Sequence, residues 1–275
     1  FDAGEGTQVS IRRLNLRWKK ITAIFISHMH ADHVTGLPGI LMLSSQVDRE
    51  EPLYIFGPPK IAEFVDQNRH LLDMYINYEI IVREIYEAGT IWQGDDYSIR
   101  AFPLKHTKMC FGYALEESKR PGVFYPEKAL ALGVPRGPLW SELQSGKTVR
   151  LTEGSSIKPS EVMGEPRSGR KFSFVTDTLY FPEIAQEVSN SDLLICEGMF
   201  EHALIESAVD KRHMTAHQAA LIARDEEKIK KLGLIHYSPR YADRELKILL
   251  DEAREIFPDT VLTKDRMRFP IEFVD

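Results

Sequence analysis

Short apolar runs alternate with amphipathic stretches along most of this chain. Ile21-Thr22-Ala23-Ile24-Phe25-Ile26 is β-branched, apolar or aromatic and reads as a buried strand. Residues 36–46 then read as a helix. Leu53-Tyr54-Ile55-Phe56 is a short strand stopped by Gly57-Pro58-Pro59. Residues 60–75 have helical spacing, with Ile61, Phe64, Val65, Leu71 and Leu72 able to share a face. Strands are predicted at 79–85, 97–104 and 111–115. After an interruption, strands follow at 172–176, 193–196 and 232–236, with helices at 181–188, 215–231 and 242–257. Ala219, Ala220, Ile222, Ala223 and Ile229 are available for the packed side of the 215–231 helix. Strands alternating with helices indicate a layered α/β protein.

The interruption, from about residue 119 to 166, is crowded with Pro and Gly that break any long element. It is too long for an ordinary loop inside a compact domain, so it is either functional or flexible. Between residues 119 and 150 the cations Lys119, Arg120, Lys128, Arg136, Lys147 and Arg150 face only Glu127 and Glu142. The chain as a whole carries −6, which argues against a nucleic-acid partner only where the charge is evenly spread. At 43% hydrophobic and 28% charged over 275 residues, the chain can bury a sizeable core, and disorder is not indicated. It has no apolar stretch of the length a transmembrane helix needs. Cys110 and Cys196 are too few for a disulfide framework, so a reducing cytoplasm is the expected compartment. The chain opens at Phe1-Asp2 without Met, and residues are expected to precede it.

The richest chemistry follows the first strand. Ser27-His28-Met29-His30-Ala31-Asp32-His33 packs three imidazoles and a carboxylate into six residues. An isolated His-x-His pair is often a surface accident. Here the donors follow a rigid strand, and an extended turn can splay alternate side chains around one point. Imidazole and carboxylate suit zinc and similar first-row metals. His106, Asp177 and His236 each stand just past a predicted strand, where ligand sites of α/β sheets gather. Taken singly, His106 is more often an ordinary surface or core histidine, and Asp177 as readily a turn residue or helix cap. Two metals about 3.5–4 Å apart need a bridging carboxylate and several imidazoles. His28, His30, Asp32, His33, His106, Asp177 and His236 would meet that need, with Asp177 as the carboxylate able to bridge.

With these residues in view, the chain resembles the ribonuclease Z family, tRNA 3′-processing endonucleases of the metallo-β-lactamase superfamily. The resemblance runs nearly end to end. Asp2-Ala3-Gly4-Glu5-Gly6-Thr7-Gln8 is similar to the family's opening motif, with Ala3 where Cys is frequent. Residues 27–33 match the ligand motif, and His106 with Phe111-Gly112-Tyr113 the third motif. Asp177 and His236 stand where the bridging Asp and last His are expected, although Thr176 replaces the usual Gly. The family also has strands ahead of the position of Phe1. His213-Met214-Thr215-Ala216-His217-Gln218-Ala219-Ala220 resembles a family run whose His is a proton donor rather than a ligand. The 131–146 stretch resembles the Gly-Pro motif of the family's protruding arm.

The resemblance implies a four-layer αββα fold, two packed mixed sheets flanked by helices. Residues 1–117 and 167–275 would form the catalytic domain and 118–166 an inserted tRNA-binding arm. It implies two zinc ions per subunit: His28, His30 and His106 on one, Asp32, His33 and His236 on the other, Asp177 shared. Asp32 is also the expected base for the attacking water. His213 is expected to protonate the leaving oxygen, with Glu197 a candidate to orient it. Lys119, Arg120, Arg136 and Lys147 would hold tRNA phosphates without reading sequence. Ser238 and Arg240, beside His236, are placed to touch a phosphate or to serve structure. The expected partners are precursor tRNA and a second copy of the chain, with no membrane. Two rival readings share the fold: a small-molecule hydrolase such as a lactonase or thioesterase, and a non-catalytic nucleic-acid-binding subunit.

Overall fold

The computed structural model describes residues 1–47, 49–225 and 229–273. In chain order the strands are β1 (Ala23–Phe25), β2 (Leu53–Gly57), β3 (Ile80–Glu84), β4 (Gly89–Gln93), β5 (Tyr97–Lys105), β6 (Met109–Glu117), β7 (Val149–Arg150), β8 (Ser156–Ile157), β9 (Lys171–Val175), β10 (Leu193–Glu197), β11 (Leu232–Ile235) and β12 (Thr260–Leu262). They form a three-stranded sheet β1-β2-β3, parallel throughout, and a seven-stranded sheet β12-β11-β10-β9-β6-β5-β4. In the larger sheet β9 to β12 run parallel, while β4 and β5 pair antiparallel. The chain divides into two compact units. The first comprises Phe1–Gly94, Ser98–Leu115 and Lys171–Ile271, and the second is built mainly from Glu116–Arg170.

Strand alternation makes the first unit layered. Ile24, Ile26, Leu53 and Ile55 turn to one side, where helices Leu37–Ser45 and Ile61–Leu71 cover them with Leu37, Leu41, Ile61 and Val65. Their neighbours Phe25, Tyr54 and Phe56 turn the other way and meet rings of the larger sheet. Phe1 stacks on Phe25 and Phe174 at 5.4 and 5.7 Å, and Trp92 meets Tyr54 edge-on at 4.9 Å. The far face of the larger sheet carries Val175, Leu194, Cys196 and Leu234 under helices Ile184–Val188, Ala216–Asp225 and Leu246–Ile256. The order helix, sheet, sheet, helix is the one expected. Each fully buried Leu or Ile of these layers contributes about 1.5–3 kcal/mol.

Several elements differ from the sequence pattern. The 60–75 helix ends at Leu71, and Leu71 and Leu72 are exposed rather than on the packed face. The 215–231 helix is Ala216–Asp225; Ile229 is buried but lies beyond its end, and residues 226–228 lie outside the described residues. A helix at Thr7–Arg13, another at Ile205–Lys211 and strand β4 had no clear periodic signal.

The second unit is a folded body, not a flexible loop. Its helices Pro126–Ala131, Pro138–Gln144 and Pro159–Val162 each begin with proline. Three of the prolines that read as breakers are therefore helix starters, because the first turn has no use for the missing N–H. Ala129, Val134, Leu143, Val149, Ile157 and Val162 form a buried cluster, against which Phe124 and Trp140 pack. β7 and β8 close as a two-stranded ladder.

Glycine allows one close approach that bears on the site. A Cβ on Gly36 would lie 1.8 Å from the Gly4 carbonyl oxygen, and one on Gly4 would lie 2.4 Å from the Asp32 carbonyl oxygen. The opening segment thus seats backbone-to-backbone on the loop that carries the histidines, with Ala3 N–H donating to the His33 carbonyl at 2.8 Å.

Candidate metal centre

β1 buries Ile24 and Phe25 and releases the chain at Ser27, so His28 emerges from the sheet fully buried. His30 is the residue before a one-turn helix, Ala31–Val34. That turn points Asp32 outward and His33 inward, the first exposed and the second buried. His28 Nε2 and His30 Nδ1 lie 2.9 Å apart, and His106 Nε2 is 3.2 Å from His30 Nδ1. His106 sits in the turn between β5 and β6. Its Nδ1–H donates to the Arg212 carbonyl at 3.0 Å, which leaves Nε2 for the site. Arg212 ends helix Ile205–Lys211 in the left-handed region, φ 58°.

Asp177, 2% exposed at the end of β9, lies between two groups of donors. Its Oδ2 is 3.6 Å from His28 Nε2 and 3.7 Å from His106 Nε2. Its Oδ1 is 3.4 Å from His33 Nε2 and 3.3 Å from His236 Nε2. His236, just past β11 with φ 59°, also faces Asp32 Oδ2 at 3.4 Å, and His33 Nε2 faces the same oxygen at 3.3 Å. A positive φ on a β-carbon-bearing residue costs energy unless the surroundings over-determine it. The donors form the sets His28, His30, His106 and Asp177, and Asp32, His33 and His236; Asp177 also groups with His213 and His236. His213 Nδ1 lies 3.0 Å from Glu197 Oε2 and 4.0 Å from Asp177 Oδ2. The Glu197 Oε1 accepts the Thr178 N–H at 2.6 Å.

The electrostatics favour a cation here. Burial pushes the His28 imidazole down to about 3, and it lowers His30 and His106 as well. Imidazoles that resist protonation are ready ligands. At His33, burial opposes the charge, but the hydrogen bond to Asp2 and the carboxylates of Asp177 and Asp32 outweigh it and raise the group to about 9. Asp177 is likewise penalised by burial, yet His236, His33, His28 and His213 hold it below its ordinary value. The His236 hydrogen bond holds Asp32 well below the usual carboxylate range. The buried Nε2 of His33 and Nδ1 of His236 have no hydrogen-bond partner. An orphaned imidazole nitrogen 3.3–3.4 Å from two carboxylates, in an all-N/O donor set, fits a divalent metal.

Two supporting residues carried no distinct signal. Asp2 accepts the Ser27 N–H and hydroxyl at 2.6 and 2.8 Å and the His33 Nδ1–H at 2.7 Å. The Ser27 hydroxyl also lies 3.0 Å from His28 Nδ1. One carboxylate therefore orients a histidine of each donor set, directly and through Ser27. Asp2 stands in the opening motif, but no local pattern connects it with residues twenty-five and more positions away.

Other predicted residues lie elsewhere. Ser238 is buried, its N–H donating to the Met199 carbonyl at 3.1 Å. Arg240 is exposed and stacks over the Phe200 ring at 4.9 Å. Lys119, Arg120, Arg136 and Lys147 belong to the second unit. There Lys119 and Arg120 line a cavity of about 560 Å³ with Gln144, Pro159 and Met163. Arg120 also stacks on Phe273 at 3.8 Å. His217 turns away from His213 and stacks on His202, ring centroids 4.2 Å apart.

Comparison with known proteins identifies the family and the fold. Residues 1–129 match the family model described as a beta-lactamase superfamily domain. A ribonuclease Z from Treponema denticola is 64% identical over 275 residues, covering 100% of this chain and 89% of the relative. One from Borreliella burgdorferi is 44% identical over 276 residues, covering 98% and 86%. Among solved structures, human tRNase Z short form superposes with a TM-score of 0.69 at 22% identity, over 99% of this chain and 88% of that one. A diphosphatase of the PhnP family gives 0.60 at 15% identity, over 99% and 79%. The layers are those of the metallo-β-lactamase fold. The full-length identity narrows this further: the chain belongs to the ribonuclease Z family.

Proposed function

We propose that this protein hydrolyses one phosphodiester bond at the 3′ end of precursor tRNA, releasing the trailer and leaving a 3′-hydroxyl on the tRNA. The observation that carries the reading is a buried histidine, His213, hydrogen-bonded to Glu197 beside the shared carboxylate Asp177, in a chain 64% identical to a ribonuclease Z. His28, His30 and His106 would hold one zinc, Asp32, His33 and His236 the other, with Asp177 between them. When bound, such a pair supplies charge neutralisation at the phosphoryl oxygens and acidifies water.

The chain's own residues do the rest. Asp32, exposed and held by His33 and His236, accepts a proton from the attacking water. Glu197 occupies the Nδ1 side of His213, so His213 Nε2 is the nitrogen left to give a proton to the leaving oxygen. Residues 118–166 serve as a tRNA-binding arm, with Lys119, Arg120, Arg136 and Lys147 on phosphates; exposed Arg240 contacts the substrate, while buried Ser238 takes the structural role. The protein acts as a cytoplasmic homodimer. A lactonase or thioesterase would use the same ligands, but the full-length identity to a ribonuclease Z disfavours that alternative.

The test is direct. Purified protein with zinc is incubated with a 3′-extended tRNA, the cut is mapped, and bound metal is counted. A single cut at the 3′ end with about two zinc ions per chain is expected. An uncut precursor, alongside rapid hydrolysis of a lactone or thioester, would reverse the reading.

A further inference from the structure

One strongly charged region of the first unit takes no part in metal binding or proton transfer. Residues 6–31 contain Arg12, Arg13, Arg17, Lys19 and Lys20 and no carboxylate. These five cations leave the remaining residues at −11, against −6 for the whole chain. All five are exposed, and among the described residues none has an ion-pair partner. Like charges so close together repel, and a polyanion relieves that repulsion.

The patch stands on a fixed base. Helix Thr7–Arg13 packs on helix Leu37–Ser45, close enough that a Cβ on Gly39 would lie 2.7 Å from the Gln8 amide carbon. The turn Trp18–Lys20 is held from beneath by buried Arg49. Its guanidinium donates to the carbonyls of Lys19, Ile21, Glu51 and Pro52 at 2.7–2.9 Å. Between Asn15, Leu16, Arg17, Trp18, Lys20 and Val47 lies a cavity of about 430 Å³. The buried indole Nε1 of half-buried Trp18 has no hydrogen-bond partner.

An aromatic and apolar hollow rimmed by cations is what single-stranded nucleic acid requires, with a face for an unstacked base and charges for its phosphates. A duplex keeps its bases stacked inside and cannot fill such a hollow. The patch also begins beside the site, because its helix opens three residues after Gly4, which abuts the Asp32 carbonyl. Seven helical residues carry it about 10 Å onward.

We propose that the face from Arg12 to Lys20 holds the single-stranded 3′ trailer of the precursor, its phosphates on the five cations and one base in the Trp18 hollow. This rests on reading the substrate as a 3′-extended tRNA. The test compares wild type with the triple variant Arg17→Gln, Lys19→Gln, Lys20→Gln on two precursors that share one tRNA body. One carries a trailer of about one nucleotide and the other about fifteen. For the long trailer, KM is expected to rise about tenfold and the slope of log KM against log salt to fall by about two, near 0.7 for each phosphate no longer held. For the short trailer, KM stays at the wild-type value. An equal rise on both would assign the patch to the tRNA body and overturn the proposal, as would no rise on either. Wild-type protein that cut neither precursor would remove the substrate reading itself. Normal cleavage of both, with no difference between them, would remove only the trailer surface.

Discussion

The two compact units are held by different means. In the first, hydrogen bonds fix the donor side chains: His33 to Asp2, His106 to the Arg212 carbonyl and His28 to Ser27. In the second, a small apolar cluster holds three short helices and one two-stranded ladder, and most of the cations point into solvent. A reaction at phosphorus needs groups placed within a few tenths of an ångström, whereas holding an RNA backbone needs charge at roughly the right spacing. The contrast teaches that chemistry and holding ask different things of a fold: the first unit pins its donor side chains by hydrogen bonds, and the second leaves exposed cations on a small frame, which suits the proposed tRNA-binding arm.

That contrast can be broken at several points. The largest effect is expected from Asp177→Ala, which removes the carboxylate shared by both donor sets. Bound metal measured by mass spectrometry should fall below two per chain and turnover should drop by roughly a thousandfold or more. His213→Ala should keep its metal and lose roughly 10²–10⁴-fold in turnover; metal loss in that variant would make His213 a ligand instead of an acid. In the second unit, Leu143→Ala opens a fully buried site and should cost about 2–5 kcal/mol of that unit's stability. Denaturant melts should show this while hydrolysis of bis(p-nitrophenyl) phosphate is retained. Equal damage to both would mean that the two units do not divide the work.

The smallest effect concerns pH. Arg170 donates to Glu117 in the second unit and holds its carboxyl below the ordinary value. A depressed carboxyl contributes stability above its unfolded value near 4.3, and that contribution disappears as pH falls through the folded value. Replacing Glu117→Gln should lower Tm by about 1–3 °C at pH 7, and the difference should vanish once the pH has fallen through the folded value.

The strands β1, β9 and β11, and the potential donor residues that gather past their ends, were legible in the sequence because both are local signals. β1, β9 and β11 are short, largely apolar runs, and each is followed within three residues by one with metal-binding chemistry. What stayed hidden depends on distance or on context. Asp2 gains its place only when the opening segment folds onto residues 27–33. Pro126, Pro138 and Pro159 look like breaks until each is seen at the first position of a helix. Leu71 and Leu72 continue a helical pattern past the helix's end, where nothing covers them among the described residues.

The seating of Gly4 against Gly36 has a consequence for reading variants of this protein. A saturation screen scored by activity alone would rank both positions with the ligands, since any side chain there prises the opening segment off the loop it supports. Neither residue can bind a metal or move a proton. The two kinds of silence separate on adding metal: excess zinc should partly restore Gly36→Ala, whose donors are all present but displaced. It should do nothing for a chain that lacks the Asp177 carboxylate.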